Sequence, residues 1–428
     1  MLAAMSTPAL RSSPQATAVS RDRGDACPGT LRLHAADDGA LARVRVPGGV
    51  LTVRQAVALA DAAEWLGDGD LHLTSRGNVQ LRGLEGGCGG ELAGLLDAAG
   101  LLPSRGHERV RNIVASPLSG LDGRGVLDVR PWLTALDAAL CASEAAQELS
   151  GRFLFALDDG RGDVAGLDAD VTVRATADGG AQVGLGAAGE VLHVSAEEAA
   201  RAALLAAETF LEAARASGVR VWRVHELALP EGELLDAAGR RLTAGGIRHE
   251  RRGRETDRTD GPPPGVVGDG LSVHVPLGRL SARQWRELTY VAAGELRLTP
   301  WRGVVLPTPG SHADESLARL AATGLVTDPR SPWLRVGACI GRPGCAKSQA
   351  DVRTDAAETL GAIAPHGLPL YWSGCERRCG HPRGDRVDVV AEPGGGYRLS
   401  TAVAGEEPPT TTMNDPARLA AALAEITS

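Results

Sequence analysis

The chain has a single lysine. Of its 45 basic residues only Lys347 is not arginine, so the arginine count reads as a compositional habit and each arginine must be argued from its position. An excess of positive charge is missing too, since 45 basic against 53 acidic residues leave a net charge of -8. Binding to a phosphate backbone calls for clustered positive charge, and no basic stripe occurs, so no nucleic-acid partner is expected. A run of about 18 apolar residues, the least that spans a bilayer, is absent, and no membrane association is expected. The opening stretch "MLAAMSTPALRSSPQATAVSRDRGDA" lacks the apolar block of a secretion signal. It reads as a disordered tail over residues 1–25, ahead of a cytoplasmic protein. Seven cysteines, an odd number bunched toward the C-terminus, suit a reducing compartment rather than a disulfide framework. The glycine-rich "GLEGGCGG" from Gly83 lacks the strand-to-helix frame of a dinucleotide loop. No NADH-binding domain is therefore expected within the chain.

What is present is a repeat. At 428 residues the chain has length for two or three domains, each able to bury a core. "VRVPGGVLTVRQAVALADAA" from Val44 returns as "VHVPLGRLSARQWRELTYVAA" from Val273. Both copies give an alternating strand, a Pro/Gly turn, a Thr or Ser helix start and an amphipathic helix opened by Arg-Gln, at Arg54-Gln55 and Arg283-Gln284. Each then runs into a further strand, "LHLTSRGNVQLRGL" from Leu71 and "LRLTPWRGVVLP" from Leu296. The copies lie far outside the roughly 20 to 50 residues of a solenoid period. They predict an α+β module used twice, with a pseudo-two-fold axis between the halves. Strands are expected at "RFLFALDDG" and "DADVTVRA", and a helix over "SAEEAARAALLAAETFLEAARASG". Later segments read as a helix through "AKSQADVRTDAAETLGAI", a strand at "LPLYWSG", a hairpin around "EPGGGY" and a last helix, "DPARLAAALAEI". The charged, then Pro/Gly-rich segment over 251–268 reads as a linker.

Four of the cysteines fall into two groups, Cys339-x5-Cys345 and Cys375-x3-Cys379. Zinc knuckles space paired cysteines by roughly two to four residues, and the first gap is too long for that. An iron-sulfur cluster accepts varied spacing where four thiolates converge and backbone N–H groups reach the sulfurs. Gly337, Gly341, Gly344, Gly374 and Gly380 allow such close approach. Spacing alone leaves both metals open, with the cluster preferred. Cys27, Cys88 and Cys141 show no ligand spacing and read as core or surface thiols.

This cysteine pattern, in the second half of a duplicated chain, resembles the nitrite and sulfite reductase family, whose sirohaem and 4Fe-4S cluster share a bridging cysteine. The resemblance runs from about Cys27 to the C-terminus. It includes Thr74, Arg76 and Gln80 in "LTSRGNVQL", and Arg111 and Asn112 in "VRNIVASPLSG". It implies two ferredoxin-like half-domains, 26–103 and 269–328, each followed by an α+β lobe, 104–250 and 329–428. It further implies a 4Fe-4S cluster on Cys339, Cys345, Cys375 and Cys379, with Cys379 in the bridging position. One departure selects a branch. The family's anion reductases carry a Lys-x-Lys pair on a central strand, and here "SGRFLFALDDG" puts Arg152 and Leu154 at those places. An apolar side chain supplies no second charge for an anion. "CPGTLRLHAADDGALARVRVPGG", "RFLFALDDGRGDV", "LRLTPWR" and "SGCERRCGHP" together resemble the precorrin-3B synthase branch. That resemblance implies oxygen- and NADH-dependent hydroxylation of precorrin-3A at C20 with γ-lactone formation, in aerobic cobalamin synthesis. Electrons would arrive through a reductase or ferredoxin. Sirohaem is not expected, and a mononuclear non-haem iron has room in this chemistry. The alternative is a sirohaem-dependent sulfite or nitrite reductase.

A tetrapyrrole rich in acetate and propionate groups calls for guanidinium forks around a cleft. Arg76, Arg82, Arg111 and Arg152 are the expected ligands, while Arg82, Arg297 and Arg302 read equally as strand-end charges or ion-pair partners of Asp and Glu. Of the ten histidines, His72, His225, His274 and His381 sit on notable segments, yet none falls in a 2-His-1-carboxylate spacing, so no iron ligand is assigned. "DDGRGD" at Asp158 reads as a hairpin turn rather than a carboxylate pair.

Overall fold

A computed structural model describes residue 25 and residues 27–308, 312–362, 367–382, 384–402 and 410–413. The tail expected over 1–25 lies, apart from residue 25, outside the described residues, as does the helix expected at "DPARLAAALAEI".

The first half-domain runs β1 (His34–Ala36), β2 (Gly39–Val44), β3 (Val50–Thr52), α1 (Val53–Leu66), β4 (Asp70–Leu73), β5 (Val79–Leu84) and α2 (Gly89–Ala98). A first lobe follows with β6 (Ile113–Ala115), α3 (Arg130–Ala142), β7 (Phe155–Asp158), β8 (Val171–Ala175), β9 (Gly180–Leu185), β10 (Glu190–Ser195), α4 (Ala199–Ala216), α5 (Glu233–Ala244) and β11 (Glu250–Gly253). The second half-domain has β12 (Gly265–Val267), β13 (Gly270–His274), β14 (Arg279–Ser281), α6 (Ala282–Val291), β15 (Glu295–Leu298), β16 (Gly303–Pro307) and α7 (Ala313–Ala321). The second lobe has β17 (Val336–Ala338), α8 (Val352–Glu358), β18 (Leu370–Ser373), β19 (Arg386–Ala391), β20 (Tyr397–Ala402) and β21 (Thr410–Met413).

The repeat read from sequence is visible down to its caps. Thr52 accepts from the backbone of Gln55 and Ser281 from that of Gln284, each glutamine reaching back to close a capping box. The turn before each cap needs a left-handed residue; the first copy uses Gly48 (φ 63°), and the second sets Leu277 there (φ 53°). Leu277 is kept because its side chain is buried against Val336, Ala338 and Trp372 of the second lobe. Tertiary contact outweighs the local cost of that conformation.

The two half-domains are not independent units. They trade a strand: β14 of the second copy closes the sheet β1-β2-β5-β4-β14, and β3 of the first closes β12-β13-β16-β15-β3. One apolar core joins them, from Ala42 and Leu51 through Leu280 and Leu306. At its centre Trp285, fully buried, donates its indole N–H to the carbonyl of Ala56 at 2.7 Å. Trp285→Ala empties a large site and removes that hydrogen bond, while the Ala56 carbonyl keeps its place in the α1 ladder. We expect it to lower stability by about 3–5 kcal/mol, read as a lower denaturant midpoint for both half-domains together.

The lobes share a second duplicated plan. In the first, β6, β7 and β8 are parallel and β8 to β11 antiparallel. In the second, β17, β18 and β19 are parallel and β19 to β21 antiparallel. The segment expected as a linker differs from that reading, since β11 uses Arg251–Gly253 as a sheet edge and β12 uses Gly265–Val267. Backbone pairing at both sheet edges removes the freedom its composition suggested. The helix expected over "AKSQADVRTDAAETLGAI" is confined to α8, started by an Asp351 cap. Among the described residues no helix is long and apolar enough to cross a membrane.

Candidate functional site

Alternation along β2, β4, β5 and β14 sends Ala42, Val44, Leu71, Leu73, Val79, Leu81 and Leu280 into the shared core. The other face is polar. Arg43 pairs with Gln80, Gln80 with His72 and His72 with Arg279, forming one row across four strands. The equivalent row of the second sheet is Ser272, Val305, Arg297 and Val50. That row is sealed: Val305 packs with Leu118 and Val267, and Arg297 donates to the carbonyls of Pro117 and Ser119 at 2.9 and 2.7 Å. Pseudo-symmetric backbones thus carry unlike faces, and the polar one leads to a cavity at one end and the cysteine loops at the other.

The cavity, about 530 Å³, is lined by Arg43, Arg45, Arg76, Arg152 and Arg223 together with Cys27 and Glu226. Arg45 is only 3 % exposed, yet its Nη1 has no partner, and Nε of Arg43 has none either. Burial, then Arg223 and Arg45, push the Arg76 guanidinium down to about 10. Arg76 donates to the carbonyl of Arg152 at 3.0 Å, and Arg152 lies 4.6 Å over the Trp222 ring. A relay of amides fixes the floor: Asn78 accepts from the backbone of Val46 and donates to Asn112, which donates to the carbonyl of Phe153. Guanidiniums with spare donors in a confined space suit a ligand bearing several carboxylates.

The expected arginines divide. Arg76 and Arg152 line the cavity. Arg111 does not: its guanidinium forks onto Asp137 at 2.7 and 2.7 Å and reaches the Leu101 carbonyl. Arg82 forks onto Asp38 at 2.8 and 2.7 Å and donates to the carbonyl of Gly344 at 2.9 Å. Its role is to tie the polar sheet to the Cys345 loop. Both are satisfied by carboxylates that sequence spacing could not bring to them. Arg43, Arg45 and Arg223 were missed, although "RVRV" alternation already puts Arg43 and Arg45 on the face opposite Val44.

The cysteine loops leave the C-terminal ends of the parallel pair β17 and β18. Cys339 donates its N–H to the Trp372 carbonyl at 2.9 Å, and the N–H of Gly374 points at Cys339 Sγ at 3.2 Å. Any Cβ on Gly374 would collide with the Ser348 hydroxyl. Burial pushes the Cys339 thiol up, and Cys379 and Cys375 are near enough to add to that shift. Such thiols ionise together only with a cation among them. Among the described residues no three of the four sulfurs lie within 4.8 Å of one another. A single tetrahedral ion with metal–sulfur bonds of about 2.3 Å would need sulfurs roughly 3.8 Å apart, and the four thiols offer the soft donors that zinc and iron-sulfur clusters share. Asp37 accepts from the N–H of Ala346 at 2.5 Å, Arg353 donates to the Cys339 carbonyl at 3.2 Å, and Tyr371 donates to the Cys379 carbonyl at 2.6 Å.

The first lobe has the same backbone at the same place with different side chains. Ser116 donates its N–H to the Leu157 carbonyl, and the N–H of Asp159 points at Ser116 Oγ at 3.1 Å. Ser116 thus matches Cys339, and Asp159 matches Gly374. This corrects the hairpin expected at "DDGRGD": β7 and β8 are parallel, and the loop folds inward. Asp158 accepts from the backbone of Gly160, Gly162, Val164 and Ala165. Arg161 ties Asp159 to Asp122, and burial with Asp158 beside it pushes Asp163 up to about 7. Asp68, Asp70 and His72 form a second close group. Arg279 already occupies Asp70 and Arg353 stands 3.3 Å from Nδ1 of His72, so guanidiniums fill the place of a cation.

The model of the "Nitrite/Sulfite reductase ferredoxin-like half domain" matches residues 34–88 and 268–323. The chain is 28% identical over 409 residues to a precorrin-3B synthase of Sinorhizobium sp, covering 91% of this chain and 86% of that one. It is 28% identical over 390 residues to a ferredoxin–nitrite reductase of Synechococcus elongatus, covering 80% and 74%. Among solved structures the Mycobacterium tuberculosis NirA protein superposes with a TM-score of 0.67 at 16% identity, covering 89% of this chain and 79% of that one. The chain thus carries two ferredoxin-like half-domains of the nitrite/sulfite reductase type, shares its fold with the NirA protein, and is similar over most of its length to a precorrin-3B synthase and to nitrite reductases.

Proposed function

We propose that the chain is a precorrin-3B synthase, a monooxygenase that hydroxylates precorrin-3A at C20 and closes a γ-lactone. One oxygen atom of O2 enters the product, the other leaves as water, and two electrons and two protons balance the step. The observation that carries this reading is Leu154. Where an anion reductase needs a second cation, this side chain is 3 % exposed and packed with Val114, Ala156, Val164 and Ala169. Arg76 and Arg152, with Arg43, Arg45 and Arg223, would hold the carboxylates of the macrocycle along the polar sheet. Cys339, Cys345, Cys375 and Cys379 would hold a 4Fe-4S cluster, which supplies electrons one at a time. Electrons would come from NADH through a reductase or ferredoxin, in the cytoplasm, and no sirohaem is required.

The test is turnover of precorrin-3A under 18O2 with an NADH-linked electron donor. Product carrying one 18O atom is expected. Extractable sirohaem with nitrite or sulfite turnover, and no such product, would replace this reading with the anion reductase that the Synechococcus relative suggests. Binding distinguishes the arginines. Arg76→Ala should weaken tetrapyrrole affinity by about 2–5 kcal/mol, the effect of removing one partner of a desolvated charge pair. Arg111→Ala should leave affinity unchanged while lowering stability by about 1–3 kcal/mol, since Asp137 loses its partner. Equal affinity losses would show that Arg111 also reaches the ligand.

A further inference from the structure

Cys27 has the surroundings of a reactive thiol, although its spacing read only as that of a core or surface thiol. Its Sγ lies 3.1 Å from Nη2 of Arg45 and 3.8 Å from Nη1 of Arg43, and 3.5 Å from the carbonyl of Gly151. The segment is pinned: Asp25 accepts from the N–H of Cys27 at 2.9 Å and from the hydroxyl of Ser150 and N–H of Gly151 at 2.8 and 2.7 Å. Independently, the buried Arg45 keeps Nη1 without a partner in the same cavity, which marks the place as built for an anionic group. The remaining thiols outside the cysteine loops lie beside carboxylates. Burial pushes Cys88 and Cys141 up, with Glu85 and Glu91 beside the first and Asp137 beside the second adding to it; Arg111, forked onto Asp137, offsets only part of that at Cys141.

We propose that Cys27 is a modification site in the wall of the arginine-lined cavity, where a soft carbon electrophile bonds to Sγ in the space a polycarboxylate ligand would occupy. Guanidinium N–H groups stabilise negative charge on the attacking sulfur. With iodoacetamide the step forms a carbon–sulfur bond, breaks carbon–iodine, releases iodide and gives the thiol proton to buffer. Only the ligand named for the cavity rests on the function proposed above.

The experiment is limited labelling of the full chain, as isolated with its metal, followed by peptide mass analysis. Cys27 should label about tenfold faster than Cys88 or Cys141, and Arg45→Gln should slow it about tenfold without altering those two. Equal rates at the three thiols, or a Cys27 rate indifferent to Arg45→Gln, would overturn the proposal. If Arg45→Gln unfolds the chain, Cys88 and Cys141 will accelerate together, and Arg43→Gln then decides, with a several-fold loss expected and no change overturning it. Uroporphyrin, an octacarboxylate, should protect Cys27; labelling undiminished at saturating uroporphyrin overturns the placement of the thiol in the ligand space. None of these readings needs turnover, so failure of the oxygenase assay leaves the labelling result to be judged by itself.

Discussion

Cys339→Ser should strip the chain of the iron and sulfide that the proposed cluster would bring. Cys339 packs against the core of the second lobe: it follows the short strand β17, bonds across to Trp372 and receives the N–H of Gly374 on its sulfur. A serine hydroxyl is a poorer ligand for iron than a thiolate, and a site tying two loops together contributes binding energy to both. Iron and acid-labile sulfide should fall at least about fivefold relative to the parent, with loss of the visible absorption of the cluster. Hydrogen exchange should rise over 339–350 and 374–380. It should stay slow in the shared core around Trp285, since the cysteine loops reach the half-domains through polar contacts of Arg82, Asp37 and Arg353. Full retention of iron and sulfide in the variant would show that Cys339 is not a ligand.

Leu154→Lys should be the most damaging single change in the first lobe. The new ammonium would enter an apolar cluster of Val114, Ala156, Val164 and Ala169, and the nearby Asp170 is already engaged by the backbone of Leu154 and by Arg223 at 2.6 Å. An uncompensated buried charge costs about 3–5 kcal/mol, which should appear as a large drop in Tm without any gain in nitrite or sulfite turnover. A variant that stays stable and begins to reduce either anion would mean the pocket needs only its second cation. The chain would then rank among anion reductases despite Leu154.

Much of this was legible before any coordinates. Val44 and Val273 head copies whose strands, turns and caps recur in the same order, because strand alternation and helix capping are local properties. The grouping of Cys339, Cys345, Cys375 and Cys379 was legible for the same reason, as was the apolar residue at 154. The exchange of β3 and β14 was not, since a three-residue strand is defined by its partner and not by its own composition. Nor was the division of the arginines, because Arg111 meets Asp137 and Arg82 meets Asp38 across 26 and 44 positions. A guanidinium's role depends on which carboxylate reaches it first.

By itself the sequence determined the duplication and most element types, and it grouped the four cysteines proposed as cluster ligands, all of which rest on short-range pattern and on residue chemistry. Only the tertiary structure decided which of two matching sheets keeps an open polar face, and that Ser116 stands in the first lobe where Cys339 stands in the second. It also decided that Cys27 stands between Arg43 and Arg45. Those are contacts between distant segments, set by how the halves pack, and a chain's local pattern does not encode them.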